Sequence, residues 1–266
     1  MRGFRLGRGK KTLIAEFRHF TYRSREKLSP EMNNPSSYFL FFDLGQTLID
    51  EWGMIQYLDS IFLELLEGFG TKIDRLNYIA IRNNVIRNRI IGNGDFEELI
   101  FEVCRLLRPE GYGRIIFQHF QPHIQYARQK HLTLYDDALP TLTQLHKEYH
   151  MGIIANQSGH AFSFLQKYGM IGLFEVVVFS SQTGFRKPDR RIFDAALLRA
   201  GKSAPECVMI GDRLDTDIKP ANELGMKTIR ITNSLFSQQE PLTESEYPTL
   251  TIKRLREVPS EIIRIS

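Results

Sequence analysis

Cysteine and long apolar runs are scarce in this chain of 266 residues, and each absence excludes a class of protein. The two cysteines, Cys104 and Cys207, are too few for a disulfide framework and lie in no CxxC or Cys/His cluster. No apolar run approaches the ~18 residues of a membrane-spanning helix, so we expect no membrane partner. These absences predict a protein of the reducing cytoplasm.

Positive charge is concentrated at the start of the sequence. Residues 1–36 hold nine Lys or Arg and three Glu, a net charge of +6, whereas the whole chain carries +4. The rest of the chain is therefore slightly acidic. The segment lacks the apolar stretch of a secretory signal. A transit peptide or a nucleic-acid-binding arm has a similar composition, but we expect a solvated, poorly ordered leader and no nucleic-acid partner.

Short apolar runs alternate with helical patterns from Tyr38 onward, which is typical of an α/β fold with a parallel sheet between helices. Strands are predicted over Tyr38–Phe42, Met151–Ala155, Glu175–Phe179, Cys207–Ile210 and Lys227–Ile231, and near Leu250–Ile252. Helices are predicted over Asp137–Tyr149, Ala161–Tyr168, Arg190–Ala200 and Asp215–Leu224. The first four strands each run into a polar segment. Because ligands bind at the carboxyl ends of the strands in an open parallel sheet, we predict one site there.

Residues 50–134 have a different pattern, in which apolar residues recur at spacings of three and four. This periodicity predicts four helices, over Met54–Phe69, Ile73–Ile90, Asp95–Leu107 and Arg114–Lys130. We expect them to form a helical subdomain or lid inserted after the first strand. Arg82, Arg87 and Arg89 would either grip a substrate or form the solvent-facing side of a helix, and we favour the solvent-facing side.

Three aspartates and one lysine follow the predicted strands in a pattern suited to phosphoryl transfer. Asp43 follows the first strand, and Asp212 and Asp217 follow the fourth. Mg²⁺ prefers oxygen ligands and usually takes one or two carboxylates. Lys187 adds a positive charge, so cations would neutralise phosphoryl oxygens while a carboxylate attacks in line. Taken singly, the aspartates would cap helices and the lysine would be a surface residue.

The sequence from Tyr38 to about Leu255 resembles the haloacid dehalogenase-like (HAD) hydrolase superfamily in four ordered motifs. They are Phe41-Phe42-Asp43-Leu44-Gly45-Gln46-Thr47-Leu48-Ile49-Asp50, Ile153-Ile154-Ala155-Asn156, Lys187-Pro188, and Gly211-Asp212 with Asp217. The resemblance implies a doubly wound, Rossmann-like parallel-sheet core over residues 37–50 and 134–266. It also implies an inserted all-helical C1 cap over residues 51–133, which would close over the site and choose the substrate.

The resemblance implies a role for each matching residue. Asp43 would be the nucleophile that forms an aspartyl-phosphate, and it would also contact Mg²⁺. Gly45 would lend its backbone carbonyl to the metal ion, Asp212 would bind the ion directly, and Asp217 would support it from nearby. Lys187 would steady both the nucleophile and the phosphoryl oxygens.

Two positions depart from the family pattern. Gly45 stands where family phosphatases usually carry a second aspartate, which protonates the leaving group and later activates water. General acid–base help is worth roughly 10²–10⁴-fold, so its loss would slow the reaction. Ala155 stands where a Ser or Thr hydroxyl normally holds a phosphoryl oxygen, a loss of about 0.5–1.5 kcal/mol. The backbone of Ala155 and the amide of Asn156 would still bind the phosphate.

The leading interpretation is a magnesium-dependent phosphatase that acts on a small phosphorylated metabolite. Gly45 and Ala155 support an alternative, a catalytically weak binding or regulatory protein with the same fold. A third interpretation is a dehalogenase that needs no metal ion. Asp212 and Asp217 count against it, because that chemistry has no use for a magnesium site. The physiological substrate and the oligomeric state stay open.

Three charged side chains beside the motifs have two interpretations each. Glu51 follows the first motif at the expected hinge into the helical insertion, where it would either line the pocket or pack within the hinge. Arg186 and Arg213 flank motif residues and would either reach substrate anions or lie on the surface. The seven histidines show no metal-ligand spacing.

Overall fold

A parallel sheet of six strands forms the centre of the computed structural model, which describes residues 38–92, 94–107 and 112–265. The eight strands of this described part are β1 (Phe39–Phe42), β2 (Ile49–Asp50), β3 (Thr133–Leu134), β4 (His150–Ala155), β5 (Val176–Phe179), β6 (Cys207–Gly211), β7 (Lys227–Ile231) and β8 (Leu250–Ile252). The order in the main sheet is β5-β4-β1-β6-β7-β8, and every neighbouring pair is parallel. The predicted α/β fold is confirmed. The leader predicted over residues 1–36 lies outside the described residues.

The two remaining strands, β2 and β3, pair antiparallel in a separate small sheet, which the sequence pattern did not predict. Between them lie four helices: α1 (Trp52–Gly68), α2 (Arg75–Arg87), α3 (Phe96–Leu107) and α4 (Tyr112–His131). We call these four helices the helical insertion. Their apolar faces form a hydrophobic cluster around Leu58, Phe62 and Phe120, which Leu235 and Phe236 also join. The four helices predicted from the periodicity are confirmed to within a few residues.

Six further helices accompany the main sheet in the described part of the chain: α5 (Ala138–Leu145), α6 (His160–Lys167), α7 (Ser180–Thr183), α8 (Arg190–Ala200), α9 (Lys219–Leu224) and α10 (Val258–Glu261). The predicted helix over Asp137–Tyr149 ends earlier, at Leu145. The short helix α7 occupies a segment that we expected to be a polar loop. The predicted helix over Asp215–Leu224 begins with a π-helical turn at Leu214–Ile218. No described helix is long and apolar enough to cross a membrane.

Strand β1 is buried on both faces, which explains its continuous apolar sequence. Leu40 and Phe42 pack in one hydrophobic cluster, and Phe39 and Phe41 pack in another. Alternate side chains of a strand point to opposite faces of the sheet, and parallel sheets are covered by helices on both faces. This burial fixes the position of Asp43, which is the first polar residue after the strand.

Two of these arginines are not solvent-facing: Arg82, on α2, is buried, and Arg89, just after α2, is only partly exposed. The guanidinium of Arg82 donates to both carboxylate oxygens of Asp59, at 2.8 and 2.6 Å. The guanidinium of Arg89 donates to Glu246 at 2.9 Å. The solvent-facing prediction was therefore wrong for these two residues, because each arginine has a buried carboxylate partner from another element. Arg87 is exposed, as expected.

Candidate active site at the carboxyl edge of the sheet

Three polar residues lie at the carboxyl ends of the three central strands. Asp43 follows β1, Asn156 follows β4, and Asp212 follows β6. These strands are hydrogen-bonded neighbours in the order β4-β1-β6, so their ends meet at one edge of the sheet. Lys187 lies in the loop between α7 and α8 and reaches the same edge. The predicted single site at this edge is therefore where these residues meet.

A buried lysine joins two of the carboxylates. The Nζ atom of Lys187 donates to Oδ1 of Asp43 and to Oδ1 of Asp217. One carboxylate oxygen from each of Asp43, Asp212 and Asp217 lies within 4.8 Å of the others, and all three residues are buried. The structure thus brings together four residues that are up to 174 positions apart in the sequence.

Local contacts hold each charged group in place. The Oδ2 atom of Asp217 accepts from the backbone N–H of Arg213 at 3.0 Å, and the side chain packs against Gly211. A Cβ atom at Gly211 would lie 2.6 Å from Cγ of Asp217, so glycine is required for this close approach. The carboxylate of Asp212 accepts a hydrogen bond from the hydroxyl of Ser234.

The side chain of Asn156 positions the lysine loop. Its Nδ2 atom donates to the carbonyl of Lys187 at 2.9 Å, and its Oδ1 atom accepts from the N–H of the same residue at 2.7 Å. Both polar atoms of the side-chain amide are therefore engaged with the backbone of Lys187. The side chain of Ala155 packs in the hydrophobic core beside residues of β1 and β4. Phosphate binding by the backbone of these two residues stays a prediction.

Burial and like charge perturb the ionisation of the cluster. Burial raises the pKa of Asp43 to about 6, although the charge of Lys187 opposes the shift. Burial, reinforced by the charges of Asp217 and Asp43, raises the pKa of Asp212 well above its usual range. Burial alone would lower the pKa of Lys187, but the charges of Asp217 and Asp43 outweigh it and raise that pKa. Lys187 is therefore cationic, but its single positive charge does not balance the negative charge of the carboxylates.

The donor set of the cluster fits a hard divalent cation. It offers three carboxylate oxygens, and Mg²⁺ prefers oxygen ligands over nitrogen and sulfur. Fully ionised, the three carboxylates exceed the single charge of Lys187 by two negative charges. A divalent cation would balance this excess.

A cavity of about 630 Å³ opens onto the cluster, a volume typical of small-molecule sites. Asp43, Lys187, Asp212, Asp217 and Asn156 line its sheet side, together with Gly45. Its other side is formed by residues of the helical insertion, including Met54, Phe96, Gln125, Arg128 and Gln129. Glu51, Arg186 and Arg213 also line the cavity, but Arg186 is exposed to solvent as well, so its surface interpretation stays open.

Gln46 is a residue of the site that the sequence analysis missed. Its backbone has a φ of 57°, a left-handed conformation that is rare outside glycine. The side-chain Oε1 atom accepts from the N–H of Leu235 at 3.0 Å, and Nε2 donates to Glu51 Oε2 at 3.3 Å. Such strain persists where neighbouring contacts fix the residue, and it is concentrated at functional sites. The only sequence signal was the position of Gln46 within the first motif.

Glu51 carries an unusual charge environment. Burial raises the pKa of its carboxyl group to about 7, with the charge of Asp43 adding to the shift and the hydrogen bond from Gln46 opposing it. A Cβ atom at Gly45 would lie 3.1 Å from Oε1 of Glu51. The carboxyl group of Glu51 therefore lies directly beside Gly45, which has no side chain.

The parallel sheet, the inserted helices and the aspartate–lysine cluster are typical of a hydrolase with a Rossmann-like core of strands and helices. The chain belongs to the haloacid dehalogenase-like hydrolase family, whose model matches residues 40–231. This match confirms the resemblance found in the motifs, and membership of this family makes the protein an enzyme.

Curated relatives and solved structures agree with the family assignment. A protein of Methanopyrus kandleri named glyceraldehyde 3-phosphate phosphatase is 38% identical over 131 residues, which cover 48% of this chain and 56% of that protein. A protein of the same name from Methanocaldococcus jannaschii is 28% identical over 222 residues, covering 82% of this chain and 94% of that protein. The crystal structure of the HAD-hydrolase YfnB of Bacillus subtilis superposes with a TM-score of 0.59 at 24% identity, covering 84% of this chain and 97% of that one. This structural similarity shows that the two proteins share a fold.

Proposed function

We propose that the protein is a magnesium-dependent phosphatase that hydrolyses a small phosphorylated metabolite through an aspartyl-phosphate on Asp43. The observation that carries this proposal is the pair of hydrogen bonds from buried Lys187 to Asp43 and Asp217, with Asp212 alongside. A lysine, a carboxylate nucleophile and a carboxylate set for a divalent cation are the groups that phosphoryl transfer requires.

Each residue of the cluster has a separate task in this proposal. An oxygen of the Asp43 carboxylate attacks phosphorus in line with the leaving group. Lys187 orients that carboxylate and stabilises negative charge on the phosphoryl oxygens. Asp212, Asp217 and the second oxygen of Asp43 would hold Mg²⁺, and the contact of the Gly45 carbonyl with the ion stays a prediction. When bound, the ion supplies positive charge that stabilises the phosphoryl oxygens in the transition state.

The substrate class is inferred from the relatives and from the cavity. Both archaeal relatives are named for the hydrolysis of a three-carbon sugar phosphate. The cavity has the volume of a small-molecule site, and Arg128 and Arg186 lie in its wall as cations suited to an anionic substrate. A small phosphorylated metabolite fits both observations.

The helical insertion, with bounds at residues 51 and 133, is proposed to be a cap that closes over the site. Side chains from α1, α3 and α4 form one wall of the cavity, opposite the aspartate–lysine cluster. Substrate choice would therefore depend on these helices, and chemistry on the edge of the sheet. The core would comprise residues 37–50 and 134–266.

A catalytically weak binding or regulatory protein is the second candidate. Gly45 provides no side-chain acid, and Ala155 provides no hydroxyl, so two groups useful for turnover are missing at these positions. A metal-independent dehalogenase is disfavoured, because buried Asp212 and Asp217 would then serve no chemical step.

The test is a phosphatase assay with an activated aryl phosphate on the purified full chain. We expect turnover that requires Mg²⁺, stops with a chelator, and is lost in Asp43→Asn. Asp136→Asn is the matched control, because the Asp136 side chain is 79% exposed and lies outside the cavity residues. Turnover that persists in Asp43→Asn would refute the nucleophile. Absence of turnover on a broad panel of phosphorylated metabolites, with the fold intact, would favour the binding protein.

A further inference from the structure

The proposed reaction needs a proton donor that the aspartate–lysine cluster does not provide. When the bond from phosphorus to an alkyl leaving group breaks, the leaving oxygen gains an electron pair and needs a proton. Asp43, Asp212 and Asp217 are already engaged with Lys187 or with the proposed cation site. An acid for the leaving group must therefore come from elsewhere in the cavity.

Two more carboxyl groups of the described residues line the cavity, Asp95 and Glu51. Asp95 lies at the start of α3, where its Oδ1 atom accepts from the N–H of Glu97 at 2.9 Å. Its Oδ2 atom is 3.7 Å from the guanidinium of Arg186. These contacts stabilise an ionised carboxylate, which is a poor acid. The charge of Arg128 acts on Glu51 too, but no ion pair joins Glu51 to a cation among the described residues, which leaves it as the candidate.

The carboxyl group of Glu51 lies beside the first motif, next to the nucleophile's own loop. A Cβ atom built on Gly45 would be 3.1 Å from its Oε1 atom and 3.5 Å from its Cδ atom. Gly45 is two residues from Asp43 and lines the same cavity. A side chain at residue 45 would therefore crowd the carboxyl group of Glu51, and Gly45 leaves that space open.

A second residue holds the glutamate in this position. Gln46 is 2% exposed, and its amide bridges two parts of the chain by accepting from the N–H of Leu235 and donating to Oε2 of Glu51. The backbone carbonyl of Glu51 accepts from the N–H of Ile55 at 2.8 Å, at the beginning of α1. Both ends of the Glu51 residue are therefore restrained, and Oε1 lies on the Gly45 side.

We propose that Glu51 is the general acid and general base of the reaction and acts in the space left open by Gly45; this inference rests on the proposed function. In the first step, Asp43 attacks phosphorus, the bond to the leaving oxygen breaks, and that oxygen takes the proton of the Glu51 carboxyl group. In the second step, Glu51 removes a proton from water as the water oxygen attacks phosphorus. The bond to Asp43 breaks, phosphate departs, and Glu51 is protonated again.

The test compares two leaving groups in Glu51→Gln. An alkyl phosphate needs protonation of its leaving oxygen, whereas an activated aryl phosphate does not. We expect the rate constant for phosphoryl-enzyme formation to fall roughly 10²–10⁴-fold for the alkyl ester. This rate constant is measured by pre-steady-state release of the alcohol. The same measurement with the aryl ester should change less than about tenfold. Glu64→Gln, an exposed residue on the same helix, is the matched control and should alter neither rate.

A second experiment moves the carboxyl group from residue 51 to residue 45. The double variant Gly45→Asp with Glu51→Ala removes the close contact at residue 45 and moves the acid to that position. Gly45 has no left-handed φ, so aspartate fits its backbone. We expect this double variant to hydrolyse the alkyl ester at least tenfold faster than Glu51→Ala alone. Thermal unfolding of every variant establishes that the fold is retained.

The outcomes separate this inference from the proposed function. An equal loss for both esters in Glu51→Gln, or no loss for either, overturns the role of Glu51 while Asp43→Asn still tests the nucleophile. The same leaving-group signature in His160→Gln, another cavity residue, and not in Glu51→Gln would assign the proton to the histidine and overturn the inference. A wild-type protein without phosphatase activity would refute the proposed function and the role of Glu51 with it.

Discussion

Replacing Glu51 by glutamine should stabilise the folded protein above neutral pH. Burial raises the pKa of this carboxyl group to about 7, from the 4.5 that is usual for a glutamate in solvent. Between these values the folded state binds more protons than the unfolded state, so the contribution of Glu51 to stability falls as pH rises. A tenfold difference in proton affinity between the folded and unfolded states corresponds to about 1.4 kcal/mol, so the ionised group costs up to about 3 kcal/mol at pH 8. A neutral glutamine avoids this cost and can still accept the hydrogen bond from Gln46.

The measurement is the free energy of unfolding in urea for the wild type and for Glu51→Gln, in chelator, at pH 5 and pH 8. Linkage predicts that the advantage of the variant grows by about 2–3 kcal/mol between the two pH values. Glu64→Gln on the exposed side of α1 should show no such growth, because its side chain is in solvent in both states. An advantage of Glu51→Gln that stays the same at both pH values would refute the argument that burial perturbs this group.

Three further predictions follow from other parts of the structure. Gly211→Ala should displace Asp217, since the new Cβ atom would lie 2.6 Å from its Cγ atom, lowering stability by about 1–3 kcal/mol and phosphatase activity with it. Asp59→Asn should lower the free energy of unfolding by about 3–5 kcal/mol, because it leaves the buried guanidinium of Arg82 without its counter-charge. Mg²⁺ should bind more tightly as pH rises through about 6, the pKa of Asp43, because the ion requires the carboxylate form.

Matched variants separate these effects from general destabilisation. Gly172→Ala meets no heavy atom within 4 Å and should leave urea unfolding and activity nearly unchanged. The double variant Asp59→Leu with Arg82→Met removes both charges and should recover most of the stability lost in Asp59→Asn. Calorimetry in two buffers of different ionisation enthalpy should detect protons released on Mg²⁺ binding. Equal affinities at pH 5.5 and pH 7.5 would contradict the assigned role of Asp43.

The strands and the main catalytic candidates were predictable because their signals are local. Strand β1 is buried on both faces, so its four residues are all apolar and the next residue, Asp43, is the first that faces the site. Strand β6 and Asp212 repeat this pattern. Parallel strands side by side place such residues at one edge, which is why Asp43 and Asp212 were expected together.

Side chains that meet across distant elements were not predictable in the same way. Arg82 is polar and lies among other polar residues of α2, so only the tertiary structure pairs it with Asp59 on another helix. Ser234 gives no local sign that its hydroxyl will bond to Asp212. The short helix α7 follows a strand in a segment of polar residues, where the pattern favoured a loop.

The sequence by itself determined the α/β fold, the four inserted helices and the family to which the chain belongs. Hydrophobic periodicity and residue order carry that information, because they depend on neighbours within one strand or one helical turn. Only the tertiary structure decided that Lys187 bridges Asp43 and Asp217, and that Glu51 lies beside Gly45. Those contacts depend on how the first motif turns back into α1 and on how the strand ends converge, and no local pattern specifies distances of a few ångströms.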